Sequence, residues 1–305
     1  MSSVKTVLVT GAGGFIARAA ARRFAADGFR VVGVSRAGTP VPGYDRVARA
    51  ALGDSLEPLL AEESVQAVIH AAVHTGADEY RVNVDGTRRW LEETRARGGP
   101  LQIFLSTLSA RPDAQSAYGR SKFDLEGPFR EAGGVVLRLG VVVGNGGMFA
   151  RIRDSLARSP LVPLLDGGRS RLHVLGIDTL AAVLSRLAAE DGEGFRGEVL
   201  HAQEPTSYSL RDLMEAVRRH YGFRCRFVPV PSLPVLWAVA AAERIPGLRL
   251  PVTSSNLKGL RQSRHESFPS DFPRFGLPEE GLEALVTRAA ARPEKEPVVD
   301  SLPGS

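Results

Sequence analysis

Five short, β-branched apolar runs, separated by segments of helical periodicity, constrain this chain more than any other feature. They are "TVLVT" at 6–10, "RVVGVS" at 30–35, "AVIHAA" at 67–72, "QIFLST" at 102–107 and "VVLRLGVVV" at 135–143. Runs this short and this continuously apolar read as strands covered on both faces. Between them stand "IARAAARRFAADG" and "VDGTRRWLEETRARGG", helical patterns that close on glycine, the residue a helix C-terminus prefers. Strand and helix in alternation require parallel strands joined by crossover helices. The expected fold is therefore α/β, a Rossmann-type doubly wound parallel sheet with a smaller, discontinuous C-terminal substrate-binding region.

Composition narrows the function classes. The 305 residues are 43% hydrophobic and 24% charged, ordinary values for a globular protein, with a formal charge of +5. The arginines stand singly and form no basic block, so no nucleic-acid partner is expected. One cysteine, Cys225, leaves no internal disulfide and no multi-thiolate metal site, so a reducing cytoplasm is expected and no metal. "MSSVK" passes into "TVLVT" without signal-peptide architecture. The longest apolar candidate, "LPVLWAVAAA", is about half of a bilayer span, so no membrane partner is expected either.

The stretch "LVTGAGGFIARAAARRF" spaces Gly11, Gly14 and Ala17 three apart, directly after a strand and before a helix. That context suits a dinucleotide turn: Gly11 for the sharp bend, Gly14 for close backbone approach to pyrophosphate, and a small residue for helix–strand packing. The helix N-terminus offers free amides to phosphates. Where the second strand ends, an NAD enzyme usually places an acid on the ribose. Ser35 and Arg36 stand there instead, a hydroxyl and a cation suited to a 2′-phosphate, so NADP(H) is expected over NAD(H). Asp54, past the third strand, is a candidate for facing the adenine.

"SAYGRSK" puts Tyr118 and Lys122 four apart on one helical face. An ammonium beside a phenol is expected to lower its pKa and suit it to exchange a proton with an alcohol or carbonyl. Just upstream, "FLSTLSA" ends a strand and delivers Ser106 and Thr107 to the carboxyl edge of the sheet, where ligands bind.

Taken together, these elements resemble the extended short-chain dehydrogenases/reductases, of the NAD(P)-dependent epimerase/dehydratase kind, across roughly residues 4 to 290. "TGAGGFIA", "IHAA", "NVDGT", "LST", Y-x-x-x-K and "RLGVVVGNGG" stand in the order of the family's motifs. The resemblance implies that Gly11, Gly13, Gly14, Phe15, Ile16, Ala71 and Ala72 line the cofactor. It makes Tyr118 the general acid/base, Lys122 its tuner and a ligand of the nicotinamide ribose, and Thr107 the hydroxyl that polarises the substrate oxygen. Ser106 is its neighbour, Ser109 a substitute, and Asn83 structural. His70 reads as a packed strand histidine.

For substrate, the resemblance offers Arg171 to a nucleotide-sugar diphosphate, with His74 in a shortened link between "HAA" and "NVDGT". Three readings stand open. The leading one is an NADP(H)-dependent 4-ketoreductase or 4-epimerase of a nucleotide-activated or related sugar. The second is a reductase or dehydrogenase of a hydrophobic ketone or alcohol, with "PVPSLPVLWAVAAAERI" lining its pocket. The third is a non-catalytic NADP-binding subunit or sensor. The expected division is 1–168 for the NAD(P)-binding domain, with 172–203 returning to its sheet, 204–290 for the substrate region and 291–305 as a disordered tail. A homodimer through the helices beginning near Val84 and Ser116 is implied by the family.

Overall fold

The computed structural model describes residues 4–76, 78–242 and 268–291. The expected tail lies almost entirely outside them. In chain order the first half runs β1 (Thr6–Thr10), α1 (Phe15–Ala26), β2 (Arg30–Ser35), β3 (Arg46–Arg49), α2 (Glu57–Glu62), β4 (Val65–His70), α3 (Glu79–Arg95), β5 (Leu101–Thr107), α4 (Ala117–Glu131) and β6 (Val135–Leu139). It continues through β7 (Val141–Val143), α5 (Gly147–Arg158), β8 (Leu161–Leu165), β9 (Arg171–Gly176), α6 (Ile177–Ala189), β10 (Val199–Ala202), β11 (Ser207–Ser209), α7 (Leu210–His220), β12 (Arg226–Val230), α8 (Ser232–Ala242) and α9 (Leu282–Ala290).

Seven strands form one sheet in the order β10-β6-β5-β4-β1-β2-β3, and every neighbouring pair in it is parallel. This is the expected doubly wound α/β sheet. Strand order reverses between β1 and β4, and that switch point opens a crevice at the carboxyl ends of the strands, where α/β proteins bind ligands. The core is sealed on both faces, because the strands are apolar at consecutive positions: Val7, Leu8 and Val9 are all fully buried. Phe24 of α1 and Leu184 of α6 share one core cluster with Val7 and Val9; Leu8 packs with Trp90 of α3 on the opposite side.

The run at 135–143 is two strands, not one. The chain breaks at Gly140, where a Cβ would sit 2.6 Å from the His173 carbonyl oxygen. Beyond the break β7 leaves the large sheet and joins β9 and β11 in a three-stranded one. Of the segment 172–203, β10 lies against β6 in the large sheet, whereas β9 belongs to the smaller one. A second hydrophobic cluster, including Phe149, Leu164, Leu213 and Leu285, gathers α5, β8, α7 and α9 around it. Cys225 is buried in that cluster as a small apolar side chain. In α8 the described side chains Leu233 and Trp237 face solvent.

Candidate active site

The turn after β1 is shaped by close approach. Gly11 has φ of 72°, a left-handed conformation that disfavours any side chain, and a Cβ there would meet Ala72 Cα at 2.9 Å. Thr10 Oγ1 fixes the facing strand by accepting the amides of Ala71 and Ala72 at 3.0 and 3.1 Å. The Gly14 amide closes the turn onto the Gly11 carbonyl at 2.8 Å. No side chain caps α1, so its first-turn amides are available to an anion. The Phe15 ring packs against Gly144 and Gly146, and Ile16 packs onto the main core. These two residues therefore offer a ligand their backbone and not their side chains.

At the end of β2, Ser35 Oγ accepts the Gly38 amide at 3.0 Å. Arg36 is exposed, and among the described residues it has no ion-pair partner. A second exposed cation, Arg49, stands in register beside Ser35 on β3, and sequence reasoning missed it because β3 carries no apolar pattern. The Asp54 carboxylate turns back on its own loop, accepting the Ala51 amide at 2.7 Å. It serves there as a turn cap rather than reaching toward adenine.

The second half of the site lies on β5 and α4. Gly119 brings them together: a Cβ there would lie 2.7 Å from the Ser109 carbonyl oxygen. Tyr118 is half-buried beside it, and Thr107 Oγ1 shares a hydrogen bond with Ser109 Oγ at 3.1 Å. Lys122 is buried, donates to the Leu105 carbonyl at 2.7 Å, and places its Nζ 5.8 Å from the Tyr118 ring centroid. Burial pulls this ammonium down to about 8, opposed by the charge of Glu126. Burial, reinforced by the Glu79 carboxylate, pushes the Tyr118 phenol up to about 12. The direction is the reverse of the one the Tyr–Lys spacing predicts, because desolvation of the phenolate outweighs a lysine that is itself desolvated.

Ser106 is not at the ligand surface. It is buried, and its hydroxyl donates to Glu126 Oε1 at 2.6 Å. Glu126 in turn is held by Arg138 through bonds of 2.9 and 2.6 Å. Ser106, Arg138 and His201 lie in one row across β5, β6 and β10. This network was legible only as a lone arginine in the apolar run "VVLRL", which demands a buried acid.

In the shortened link, Asn83 is structural, as expected: it accepts the His74 amide at 2.8 Å and donates to the carbonyls of His74 and Glu79 at 2.8 and 2.7 Å. His74 is half-buried near Glu79, whose carboxyl is raised by burial against the opposing charge of His74. Glu79, unassigned from sequence, thus couples the link to Tyr118. His70 is a packed strand residue, donating to Gln102 at 2.8 Å against the edge of Phe129. Burial pulls its pKa down to about 4.

Arg171 is exposed, with one guanidinium nitrogen, Nη2, engaged within the protein. Its guanidinium donates to the Ser207 carbonyl at 2.7 Å and to Ser207 Oγ at 2.5 Å, tying β9 to β11. Nearby, two buried acceptors have no partner among the described residues, His173 Nε2 and Gln203 Oε1. The His173 Nδ1–H is directed to the Glu204 carbonyl at 3.2 Å, and the Gln203 amide nitrogen to Pro269. What remains at both is lone-pair capacity for a donor. Among the described residues no group of three or more His, Cys, Asp or Glu is placed to hold a metal.

A family model described as the NAD dependent epimerase/dehydratase family matches residues 7–175. The ceramide reductase of Caulobacter vibrioides (strain NA1000 / CB15N) is 27% identical over 294 residues, covering 89% of this chain and 90% of that one. In fold, the chain is similar to the UDP-glucose 4-epimerase of Thermotoga maritima, solved with UDP-glucose, at a TM-score of 0.70 and 18% identity over 93% of this chain and 97% of that one. The UDP-glucose 4-epimerase of Bifidobacterium longum, solved with NAD+ and UDP, gives 0.68 and 17% over 94% and 97%.

Proposed function

The chain belongs to the NAD dependent epimerase/dehydratase family, and from that premise we propose that it is an NADPH-dependent reductase of a hydrophobic ketone, returning the secondary alcohol. The observation that carries this reading is the Tyr118 phenol set on one face of α4 with the buried Lys122, whose Nζ donates to the Leu105 carbonyl and lies 5.8 Å from the Tyr118 ring centroid. A protonated phenol is the donor that carbonyl reduction needs.

The glycine turn fits a dinucleotide: the backbone approach at Gly11 and the uncapped α1 suit a pyrophosphate. When bound, the nicotinamide supplies the hydride. Thr107 hydrogen-bonds the carbonyl oxygen and orients it. Tyr118 gives its proton to that oxygen as the carbon accepts the hydride, so the C=O becomes a CH–OH. Lys122, anchored on Leu105, offsets the negative charge left on the phenolate. Arg36, with Arg49 in reach of the same edge, pairs with the 2′-phosphate, which is the basis for preferring NADPH.

Two observations favour a hydrophobic ketone over a nucleotide sugar. Arg171, the residue for a diphosphate, is engaged through Nη2 by Ser207. The relative that shares nine-tenths of its length with this chain is a reductase named for a lipid.

The test is stoichiometric oxidation of NADPH, with NADH alongside, over lipid-like ketones and nucleotide 4-keto-sugars, using Tyr118→Phe as control. Consumption with the ketones that vanishes in the variant is expected. Turnover confined to the sugars would move the chain to the sugar reading, and tight NADPH binding with no turnover on either panel would leave a binding subunit.

A further inference from the structure

The two unpartnered acceptors stand at the carboxyl edge of the large sheet, on the side of Thr107 away from the glycine turn. Across that edge Thr107 of β5, Leu139 of β6 and Ala202 of β10 lie in register. Gly140 and Gln203 are the next residues along the last two strands. At Gly140 a Cβ would lie 2.6 Å from the His173 carbonyl oxygen and 3.4 Å from the Gln203 Cβ, so His173 of β9 and Gln203 meet there. The Glu204 amide donates to the Val174 carbonyl at 2.9 Å and fastens the two segments together. His173 is 2% exposed and Gln203 fully buried. The His173 Nδ1–H is spent on the Glu204 carbonyl and the Gln203 amide nitrogen on Pro269. Their Nε2 and Oε1 atoms keep lone pairs that no described residue meets. The half-buried Phe268 ring lies against both His173 and His201, at centroid distances of 6.3 and 6.0 Å.

A buried acceptor without a donor is costly, and a fold that keeps two at one point of its ligand edge leaves them for a partner that supplies what they lack. Both are acceptors, so that partner is a donor; a phosphate or carboxylate, itself an acceptor, would be repelled. Strand spacing sets the reach. Two strand intervals put Gln203 about 10 Å from Thr107 along the edge, a gap that the side chains and a few carbon atoms span. We propose that His173 and Gln203 form a subsite for a neutral hydrogen-bond donor of the substrate, a hydroxyl or an amide N–H set a few carbon atoms from the ketone, which enters past Phe268. The proposal rests on the reductase reading and names a feature that its hydrophobic ketone carries. The competing occupant is one buried water that gives a hydrogen to each acceptor. A site built to bond a substrate hydroxyl or N–H rejects the analogue that lacks it, whereas a buried water leaves the choice of substrate alone.

The experiment uses aliphatic ketones that carry one hydroxyl, or one acetamido group, at increasing distance from the carbonyl, each paired with its O-methyl or N-methyl counterpart. The readout is the ratio of kcat/KM within each pair, from NADPH oxidation by the full chain. Wild type is expected to prefer the donor-bearing member of at least one pair by about a hundredfold or more, and the hydroxyl and acetamido arms tell which donor the subsite takes. His173→Phe and Gln203→Met remove one acceptor each, and each is expected to lower that ratio about tenfold. If one variant fails to fold, the other decides. Absence of a preference in every wild-type pair overturns the proposal, and so does a ratio that survives the substitutions. Variants that shift Tm with the ratio unchanged assign the pair to a buried water and overturn it equally. Binding of the same ketones is measured by calorimetry with NADP+, which permits no reduction. A pairwise difference in Kd that the variants lose, beside no turnover of any ketone, would sink the reductase reading and leave the subsite standing.

Discussion

Arg138 grips Glu126 through two bonds, at 2.9 and 2.6 Å, one helical turn beyond Lys122 and beneath the end of β5. Glu126 is buried and Arg138 half-buried, and the carboxylate sets the charge that Lys122 faces. Glu126→Gln leaves the guanidinium without its counter-charge, at a cost of about 3 kcal/mol in denaturant unfolding. The same substitution removes the group that raises the Lys122 pKa. The alkaline limb of the pH profile is therefore expected to move to lower pH, a shift that mere loosening of the fold would not produce.

That limb has a definite sign. Lys122 is held down to about 8, so above that pH it loses the positive charge that stabilises a departing phenolate. Reductive kcat is expected to fall as pH rises through about 8, while Tyr118 stays protonated. Stability moves the other way: between about 8 and the ordinary lysine value the unfolded chain holds more protons, so Lys122 makes the fold more stable as pH rises there. Glu79→Gln removes a charge that raises the Tyr118 pKa. Phenolate absorbance should then appear at lower pH than in wild type; an unchanged titration would detach Glu79 from the site.

Gly119→Ala tests the seating of α4 on the loop after β5. The added Cβ would lie 2.7 Å from the Ser109 carbonyl, so the helix must shift and carry Tyr118 with it. Misplacement on this scale costs about tenfold to a hundredfold in kcat, with NADPH affinity largely retained. Wild-type kcat in this variant would show that the contact does not position the tyrosine.

Arg36→Ala is expected to weaken NADPH binding about tenfold or more, the worth of a charge-assisted bond, and to leave NADH binding nearly unchanged. Arg49→Ala adds a smaller loss. Titration by nicotinamide fluorescence reads both without turnover, and equal losses for the two cofactors would remove the 2′-phosphate from the account.

His70 governs acid stability. Its folded pKa of about 4 lies below the ordinary histidine value, so the unfolded state binds the proton first as pH falls. The fold is expected to lose a few kcal/mol between that ordinary value and about 4 and to regain them on raising the pH. His70→Gln, which keeps a donor for Gln102, should flatten that dependence.

What the sequence determined by itself is whatever follows from local periodicity and short spacing. β1 and β2 fall where their apolar runs lie, because strands buried on both faces need no partner pattern to be seen. The close approach of Gly11 to Ala72 is announced by the glycine spacing, since only a residue without Cβ can make it. Tyr118 and Lys122 share a face because a helix turns in 3.6 residues. Tertiary structure decided the rest, because desolvation and partner choice arise from segments far apart in the chain. It reversed the direction of the Tyr118 shift by partly desolvating the phenol beside a fully buried lysine, and it moved Ser106 inward to Glu126. It bound Arg171 to Ser207, brought Arg49 beside Ser35, and ended β6 at Gly140 against the His173 carbonyl. None of those distances is written in the spacing of the residues concerned, since each depends on which strands become neighbours in the finished sheet.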